Sequence, residues 1–362
     1  MKYADLVSPE NLFIAFDEFK RGKRKKEDVM HFEQNLEENI FDLSQELISK
    51  IYRHGSYANF VIWDPKYRII SKGRVRDRVV HHALFNYLYA VFDKSFIFHS
   101  YSSRMGKGTH IGVKNLHAQM RKVSENFSKP SYALKCDIRK FFASVNHDIL
   151  MELLSEKVDD SDILWLAQTI IESYSATLST GIPLGNVTSQ IFANIYLNQL
   201  DQFIKHELRL KYYLRYADDF VVLHQDKDLL RKTISRIDRF LQEKLKLHLH
   251  PQKISVRNLK QGVDFLGYVC LPYSRVIRTK TKKRMFRKFQ NRKQEMLAGK
   301  RTSESLNQSA QSYLGMLQHA NSYHLTKKLR ILSGLEQEYE SLYPVPYIPH
   351  EIAVFLGLTR RK

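Results

Sequence analysis

Cysteine is scarce in this sequence and long apolar runs are missing. The 362 residues include two cysteines, Cys136 and Cys270, which are too few for a disulfide framework and lack the spacing of a zinc site. No apolar run approaches the ~20 residues needed to span a bilayer, and the first five residues lack the apolar core of a signal peptide. These absences predict a soluble, intracellular protein with no membrane partner and with both cysteines buried.

Acidic residues are the minority among the charged side chains. The chain has 58 Lys plus Arg against 38 Asp plus Glu, which gives a formal net charge of +20. This excess favours a partner with many phosphates, and an acidic membrane surface is the weaker alternative. The length and a hydrophobic content of 43% allow a large core divided among two or three structural units. The composition therefore allows a multi-lobed enzyme that acts on nucleic acid.

Apolar periodicity predicts the outer elements. Between residues 31 and 52, apolar residues recur at three- and four-residue steps, which predicts one amphipathic helix. Residues 59–71 are rich in β-branched and aromatic types and are interrupted by Asp64-Pro65, which predicts two short strands and a turn. Residues 79–92 read as a further helix. From 275 to 301 basic residues dominate and the only acid is Glu295, so we expect a basic helical unit after residue 272.

Three aspartates stand where predicted strands end. Residues 131–138 predict a buried strand that ends near Asp137, and residues 210–224 predict a hairpin whose turn carries Asp218 and Asp219. Carboxylates placed in this way can converge on two divalent ions roughly 3.5 to 4 Å apart, as phosphoryl transfer from a nucleoside triphosphate requires. The plain alternatives are an Asp-rich turn and, for Asp137 alone, a helix cap. The apolar strands on both sides of the acidic pair favour the metal site.

The most informative motif is the Tyr-Ala-Asp-Asp segment at 216–219. As a four-residue pattern alone it is not specific. Together with Asp-Ile-Arg-Lys-Phe-Phe at 137–142, it resembles the catalytic core of reverse transcriptases of the group II intron-like branch. The resemblance covers most of the chain. Segments 64–68 and 77–80 resemble the fingers motif of that family, and Phe-Leu-Gly-Tyr at 265–268 resembles its primer grip.

The resemblance implies an α+β right-hand polymerase. We expect fingers with an N-terminal extension over residues 1–130 and a palm, built from an antiparallel sheet packed on helices, over residues 131–272. Residues of about 150–180 would be helices shared between fingers and palm. A basic helical thumb with a C-terminal tail would occupy residues 273–362.

The resemblance also assigns roles to individual residues. Asp137, Asp218 and Asp219, with the backbone carbonyl of Ile138, would hold two Mg²⁺ ions and form the catalytic centre. Lys253 matches a lysine that protonates the leaving pyrophosphate as a general acid. A solvated lysine after a turn is an equally good interpretation of Lys253.

Three further positions match the site of the incoming nucleotide. Lys66 and Arg68 match residues that grip its triphosphate, where ammonium and guanidinium groups suit phosphate oxygens; without the resemblance they are surface charges. Phe142 matches an aromatic residue that blocks a ribose 2′-hydroxyl and so favours dNTPs over rNTPs. The alternative for Phe142 is a core aromatic like its neighbour.

The segment at 181–190 departs from the commonest form of its motif. Leu184-Gly185, followed by Ser189-Gln190, resembles the variant in reverse transcriptases of diversity-generating retroelements. Replacing an amide by Leu184 removes a hydrogen bond near the incoming nucleotide, so the Leu184, Gly185 and Gln190 pocket should discriminate less between bases. The resemblance implies error-prone copying at template adenines, mutagenic cDNA from a template-repeat RNA, and a basic helical-bundle accessory protein.

Several alternatives stay open. Defence-associated or unclassified bacterial reverse transcriptases share the Ser-Gln variant, and a non-catalytic RNA-binding scaffold or maturase has the same fold. An RNA-dependent RNA polymerase shares the carboxylate chemistry, although Phe142 and Tyr216 favour DNA synthesis. We expect template RNA, the RNA/cDNA duplex and dNTPs as partners, a cytoplasmic protein encoded by a bacterium or phage, and no fused nuclease, integrase or primase domain.

Overall fold

The computed structural model describes residues 1–64 and 66–334. Residues 335–362, the end of the segment expected to be thumb and C-terminal tail, and Pro65 of the fingers motif lie outside the described residues. The chain divides into two compact units, Met1–Gln261 and Gly262–Lys362. None of the helices in the described part of the chain has the length and apolar character to cross a membrane. The fingers, palm and thumb boundaries remain predictions.

The first unit contains helices and two sheets. Its helices are α1 (Tyr3–Leu6), α2 (Pro9–Phe19), α3 (Glu27–Gln34), α4 (Leu36–Ile48), α5 (Val75–Phe92), α6 (Thr109–Val123), α7 (Phe141–Ser144), α8 (His147–Ser155), α9 (Ser161–Glu172), α10 (Val187–Gln202) and α11 (Lys227–Leu245). Its strands are β1 (Ala58–Ile62), β2 (Arg68–Lys72), β3 (Tyr132–Asp137), β4 (Tyr212–Tyr216), β5 (Asp219–His224) and β6 (Ser255–Asn258).

The prediction of one helix over residues 31–52 is wrong. Asn35 separates α3 from α4, with φ −120° and ψ 46°, outside the helical region. Asparagine is a poor helix former because its side chain competes for backbone hydrogen bonds. The apolar spacing still predicts the buried face, since α4 buries Ile40, Leu43 and Leu47. The apolar periodicity therefore predicts which side of the helix is buried, but it does not predict that the segment is divided into two helices.

The two strands predicted over residues 59–71 are confirmed. β1 and β2 form an antiparallel hairpin with register Ala58↔Lys72 to Ile62↔Arg68. Every residue of β1 is exposed. The following helix α5 begins at Val75, four residues earlier than the predicted start, and buries Val79, Val80, Leu84 and Leu88. The hairpin is therefore an exposed structure connected to a buried helix.

A four-stranded antiparallel sheet carries the predicted acidic positions. Its strand order is β4-β5-β3-β6, and Asp137 lies opposite Asp219 in the β3/β5 ladder. One core cluster includes sheet residues Leu134, Cys136, Tyr213, Phe220 and Val222 and helix residues Phe192, Leu197, Ile237 and Leu241. The expected antiparallel sheet packed on helices is thus observed, and both cysteines are buried as predicted.

The second unit has a small sheet and three helices within its described residues. Its elements are β7 (Val263–Phe265), β8 (Tyr268–Cys270), β9 (Arg275–Ile277), α12 (Thr279–Leu297), α13 (Ser303–Leu317) and α14 (Tyr323–Ser333). The strands form an antiparallel sheet in the order β7-β8-β9. The basic helix α12 buries Met285 and Phe289. Contacts place residues 262–272 in this unit, whereas the sequence grouped them with the preceding sheet.

Candidate active site

The turn between β4 and β5 presents two of the three aspartates. Tyr216 pairs with Asp219, so Ala217 and Asp218 form a two-residue turn. Ala217 has φ +51°, a left-handed conformation that residues other than glycine rarely adopt. The carbonyl of Asp218 accepts a hydrogen bond from the backbone N–H of Ile138 at 3.2 Å. This bond fixes the turn against the end of β3.

The three predicted aspartates lie together at this edge of the sheet. Asp137 ends β3 opposite Asp219, the first residue of β5. Burial raises the pKa of Asp219 to about 6. Burial, followed by the negative charge of Asp137, raises the pKa of Asp218. Carboxylates that lose water and repel one another in this way are stabilised by a nearby cation.

Two lysines partly supply that positive charge. Lys253, at the end of the 3₁₀ turn Pro251–Lys253, has its Nζ 2.6 Å from Asp137 Oδ1. Lys135 Nζ lies 3.3 Å from Asp219 Oδ2. Sequence reasoning missed Lys135, although a lysine two residues before Asp137 on a strand lies on the same face. The acidic cluster is thus paired with two ammonium groups from the same chain.

The chemistry of this cluster fits divalent cations. Asp219 Oδ1 is buried and has no hydrogen-bond partner among the described residues, and hard ions bind such carboxylate oxygens. Across residues 1–64 and 66–334, however, no group of three or more His, Cys, Asp or Glu side chains is arranged to hold a metal. Asp137 and Asp219 each place one carboxylate oxygen against a lysine. These ion pairs reduce the number of carboxylate oxygens that converge on a common metal position.

The residues expected at the incoming nucleotide lie on separate elements. Lys66 is exposed in the β1–β2 connection, and Arg68 is exposed at the start of β2. The charge of Arg68 contributes to lowering the pKa of Asp218, against the larger effects that raise it. Phe142 in α7 is partly buried, and its ring centroid lies 5.3 Å from that of Phe141 in an edge-on contact. The completely buried ring of the pair is Phe141.

The Leu184 segment lies directly against β2. The carbonyl of Leu184 accepts a hydrogen bond from the N–H of Ser71 at 2.8 Å. Gly185 has φ +124°, and a Cβ there would lie 2.8 Å from Ile70 Cγ2 and 3.3 Å from Ser71 O. Both conditions require glycine at this position. Gln190 is exposed in the first turn of α10, so the structure brings this segment and the Arg68 strand together.

A buried ion pair supports the turn, and sequence reasoning missed it. Arg215 and Asp201 are both fully buried; Arg215 donates to Asp201 Oδ1 from Nε at 2.8 Å and to Oδ2 from Nη2 at 2.6 Å. Its Nη1 donates to the carbonyl of Ala217 at 3.2 Å and to Asn194 Oδ1 at 3.3 Å. The hydroxyl of Tyr213 donates to Asp201 at 2.7 Å. Arg215 within the largely apolar β4 and Asp201 within the largely apolar α10 are the features of the sequence that could have indicated this ion pair.

A family model described as "Reverse transcriptase (RNA-dependent DNA polymerase)" matches residues 63–270. The chain belongs to the reverse transcriptase family. The match includes the three aspartates, Lys253 and the Leu184 segment. The α+β right-hand polymerase class predicted from the sequence is confirmed by this membership together with the antiparallel sheet and its packed helices.

This reverse transcriptase is similar to intron-related proteins. It is 24% identical to Protein YkfC of Escherichia coli (strain K12) over 242 residues, covering 56% of this chain and 63% of the relative. It is 22% identical to the group II intron-encoded protein LtrA of Lactococcus lactis subsp. cremoris over 423 residues, covering 95% of this chain and 65% of the relative. A solved structure of apo telomerase from Candida tropicalis, truncated from the C-terminal domain, aligns with TM-score 0.48 and 14% identity, covering 66% of this chain and 59% of that chain. The chain spans less than two thirds of each of these proteins.

Proposed function

We propose that this chain is an RNA-directed DNA polymerase that extends a primer with dNTPs on an RNA template. The observation that carries the proposal is the cluster of three aspartates, with Asp137 opposite Asp219 in the β3/β5 ladder and Asp218 in the adjoining turn, found in a chain of the reverse transcriptase family. The net charge of +20 suits template RNA and the RNA/cDNA duplex. The exposed basic helix α12 would contact nucleic acid backbones by charge.

Two Mg²⁺ ions are the cofactors that this site would take. Asp137 and Asp218 would hold them, with Asp219 in support and the carbonyl of Ile138 completing a coordination shell. When bound, the ions would supply activation of the attacking hydroxyl and stabilisation of the pyrophosphate. The chain itself contributes partial exclusion of water around the carboxylates, which strengthens their attraction for cations.

The basic residues around the cluster would act on the triphosphate. Lys66 and Arg68 would grip its phosphates, since Arg68 is already close enough to Asp218 to affect its pKa. Lys253 Nζ lies 2.6 Å from Asp137, so a proton donor is held at the catalytic edge and would protonate the pyrophosphate as it leaves. Phe142 would exclude the 2′-hydroxyl of an rNTP.

Leu184 supports a finer assignment to the diversity-generating retroelement type. Its side chain offers no hydrogen bond, and Gly185 fixes the backbone of the segment against β2. A pocket that lacks a polar contact to the nucleotide discriminates less between correct and incorrect bases. We therefore infer error-prone synthesis at template adenines, which yields mutagenic cDNA from a template-repeat RNA, assisted by a basic helical-bundle protein.

Primer extension on a defined RNA template tests these assignments. With Mg²⁺ and dNTPs, we expect cDNA whose errors concentrate opposite adenine, and rNTPs should be used poorly. Accurate cDNA would move the chain to the defence-associated or unclassified reverse transcriptases, and efficient rNTP use would contradict the role of Phe142. Phe142→Ala should increase rNTP incorporation, whereas Phe141→Leu, a change at the buried neighbour, should leave the dNTP preference unchanged.

A second candidate is an intron RNA-binding maturase. The similarity to LtrA extends over 95% of this chain, beyond the residues that the family model matches. A maturase would bind a group II intron RNA much more tightly than an unrelated structured RNA of the same length. Equal binding of the two RNAs at physiological salt would remove this candidate and leave the polymerase.

A further inference from the structure

A chain of hydrogen bonds joins two histidines to the start of α10. The carbonyl oxygen of Gly55 lies 2.6 Å from His54 Nδ1, and His54 Nε2 lies 3.0 Å from Nε2 of His81 on α5. His81 Nδ1 lies 2.9 Å from the hydroxyl of Thr188, the second residue of α10. His81 and Thr188 are each 1% exposed, whereas His54 is only partly buried. None of the roles proposed above uses these side chains.

The partners of the two rings determine where the hydrogens lie. A carbonyl oxygen only accepts, so His54 Nδ1 carries a hydrogen and donates it to Gly55 O. In a neutral His54 the Nε2 atom is then an acceptor, and His81 Nε2 donates to it. His81 Nδ1 is left as an acceptor for the Thr188 hydroxyl. With both histidines neutral, all three bonds are satisfied only when each member donates towards Gly55.

The Gly55 end of the chain is anchored in the core. The N–H of Gly55 donates to Asp77 Oδ2 at 3.2 Å, and the Tyr52 hydroxyl donates to Asp77 Oδ1 at 2.9 Å. Asp77 is fully buried. A Cβ at Gly55 would lie 3.0 Å from Asp77 Oδ2, so the peptide is packed closely against this carboxylate. The acceptor at this end of the chain is therefore held in place.

The Thr188 end belongs to the segment that contains Leu184. Thr188 follows Gly185 by three residues, and Ser71 N donates to Leu184 O at 2.8 Å, which ties this segment to β2. Gly73, directly after β2, lies between the two structures: a Cβ there would lie 3.7 Å from His54 Nε2 and 3.7 Å from Asn186 Oδ1. The chain thus runs beside the junction of β2 with the proposed nucleotide pocket.

His54 is where a proton can enter. Burial, followed by the charge of His54, lowers the pKa of His81 well below the ordinary value of histidine, and burial lowers the pKa of His82 to about 4. Residues 186–190 at the start of α10 carry no charge. The other ionisable groups packed around the pair and its neighbours are Glu18, Lys23, Asp28, Tyr52, Tyr57, Arg74, Arg76, Asp77, Arg78 and Tyr174.

Proton uptake by His54 would reverse the chain. A doubly protonated His54 carries a hydrogen on Nε2, which needs an acceptor at the 3.0 Å contact. His81 stays neutral and supplies that acceptor by carrying its hydrogen on Nδ1 instead of Nε2. Its Nδ1 then donates to Thr188, whose own hydroxyl hydrogen loses its acceptor. One added proton therefore changes Thr188 from a donor to an acceptor.

We propose that this chain positions the Leu184 segment for nucleotide binding while both histidines are neutral, and that proton uptake by His54 weakens dNTP binding. His54, His81 and Thr188 are positioning residues, since they act through the backbone of the segment. The inference rests on the proposed function. Histidine is the side chain that ordinarily changes charge between pH 5 and 8, so the effect falls in a range that assays reach.

Ring-nitrogen NMR of the chain labelled with ¹⁵N-histidine tests the hydrogen-bond chain itself. Signals missing from His54→Gln and from His81→Gln assign the two rings. At pH 8 we expect hydrogen on Nδ1 of His54 and on Nε2 of His81. Between pH 8 and 5, His54 should gain a second hydrogen, and in the same step the hydrogen of His81 should appear on Nδ1. A His54 that stays neutral, or a His81 that keeps its Nε2 hydrogen while His54 titrates, overturns the inference.

Binding of dNTP tests the positioning role. The Kd is measured with Mg²⁺, an RNA template and a primer that lacks the 3′-hydroxyl, so that chemistry does not contribute. One pH unit below the NMR midpoint, about a tenth of the molecules keep both rings neutral. From pH 8 to that pH, the Kd should therefore rise about tenfold more in wild type than in His54→Gln. Protonation of the dNTP itself affects both proteins and cancels in this comparison.

Matched variants separate the chain from its surroundings. Thr188→Val keeps the branched shape and removes the hydroxyl, so the Kd should be raised already at pH 8 and should lack the additional rise in acid. Thr188→Ser keeps the hydroxyl and should keep the wild-type profile. His82→Gln changes the adjoining histidine, which lies outside the chain, and should also keep the wild-type profile.

Equal acid dependence of the Kd in wild type, His54→Gln and Thr188→Val would overturn the positioning role. Where a variant fails to fold, the wild type decides, because its Kd must change with the same midpoint as the NMR signals. Absence of all extension from an ordinary primer would refute the proposed function instead, and the NMR titration would still support or overturn the chain.

Discussion

Replacing Asp201 by leucine should leave the Arg215 guanidinium unpaired in the core. Both side chains are fully buried, and breaking such a pair by removing one partner costs about 3–5 kcal/mol of unfolding free energy. Tyr213→Phe is the matched control, because it removes one neutral donor from Asp201 and leaves the two charges paired. Its expected cost is about 1.5–3 kcal/mol. Urea unfolding followed by circular dichroism measures both values.

The double variant Asp201→Leu with Arg215→Met separates stability from activity. Replacing both members of a buried pair by apolar groups is often neutral for stability, so unfolding should return close to the wild-type midpoint. Primer extension should stay low, because Ala217 O loses its 3.2 Å donor and the turn with φ +51° loses support. Activity is compared at a temperature where all variants are folded. Recovery of extension together with stability would refute a positioning role for Arg215, as would an equal activity loss in Tyr213→Phe.

Three further outcomes are expected. The folded pKa of Asp219, about 6, exceeds the ordinary 3.8, so its ionisation destabilises the fold by about 3 kcal/mol above pH 6. In metal-free buffer, Asp219→Asn should therefore raise the unfolding free energy above pH 6 by about 3 kcal/mol more than it does below about pH 3. A pH-independent difference would contradict this. Leu184→Gln should lower misincorporation opposite adenine more than total synthesis, and an unchanged error spectrum in sequenced cDNA would exclude Leu184 as the cause. Gly185→Ala should lower thermal stability and raise the KM for dNTP, because its Cβ would lie 2.8 Å from Ile70; unchanged values of both would contradict the strained position.

Local pattern was sufficient to predict the acidic cluster. A hairpin turn is encoded within a few residues, so Asp218 and Asp219 could be placed at a strand connection, and the end of a buried strand gave Asp137. Antiparallel pairing of β3 with β5 then brings Asp137 opposite Asp219. The β1–β2 hairpin was predictable for the same reason. The family resemblance added roles that spacing alone does not give.

Contacts between distant residues were not predictable from one sequence. Lys253 pairs with Asp137 across 116 residues. The pairing of Arg215 with Asp201 depends on how β4 packs against α10. Apolar periodicity also did not reveal the break between α3 and α4 at Asn35, because the apolar spacing continues from one helix into the next. In each case, packing rather than local propensity decides the structure.

Primer extension by Asp218→Asn, compared with wild type on the same RNA template, tests whether the three aspartates form the polymerase centre. The substitution keeps the size of the side chain and removes one negative charge from the carboxylate cluster, so RNA binding measured in parallel should be nearly unchanged. We expect loss of cDNA synthesis with retained RNA binding. Extension at the wild-type rate by Asp218→Asn would contradict the assignment of this cluster as the polymerase centre.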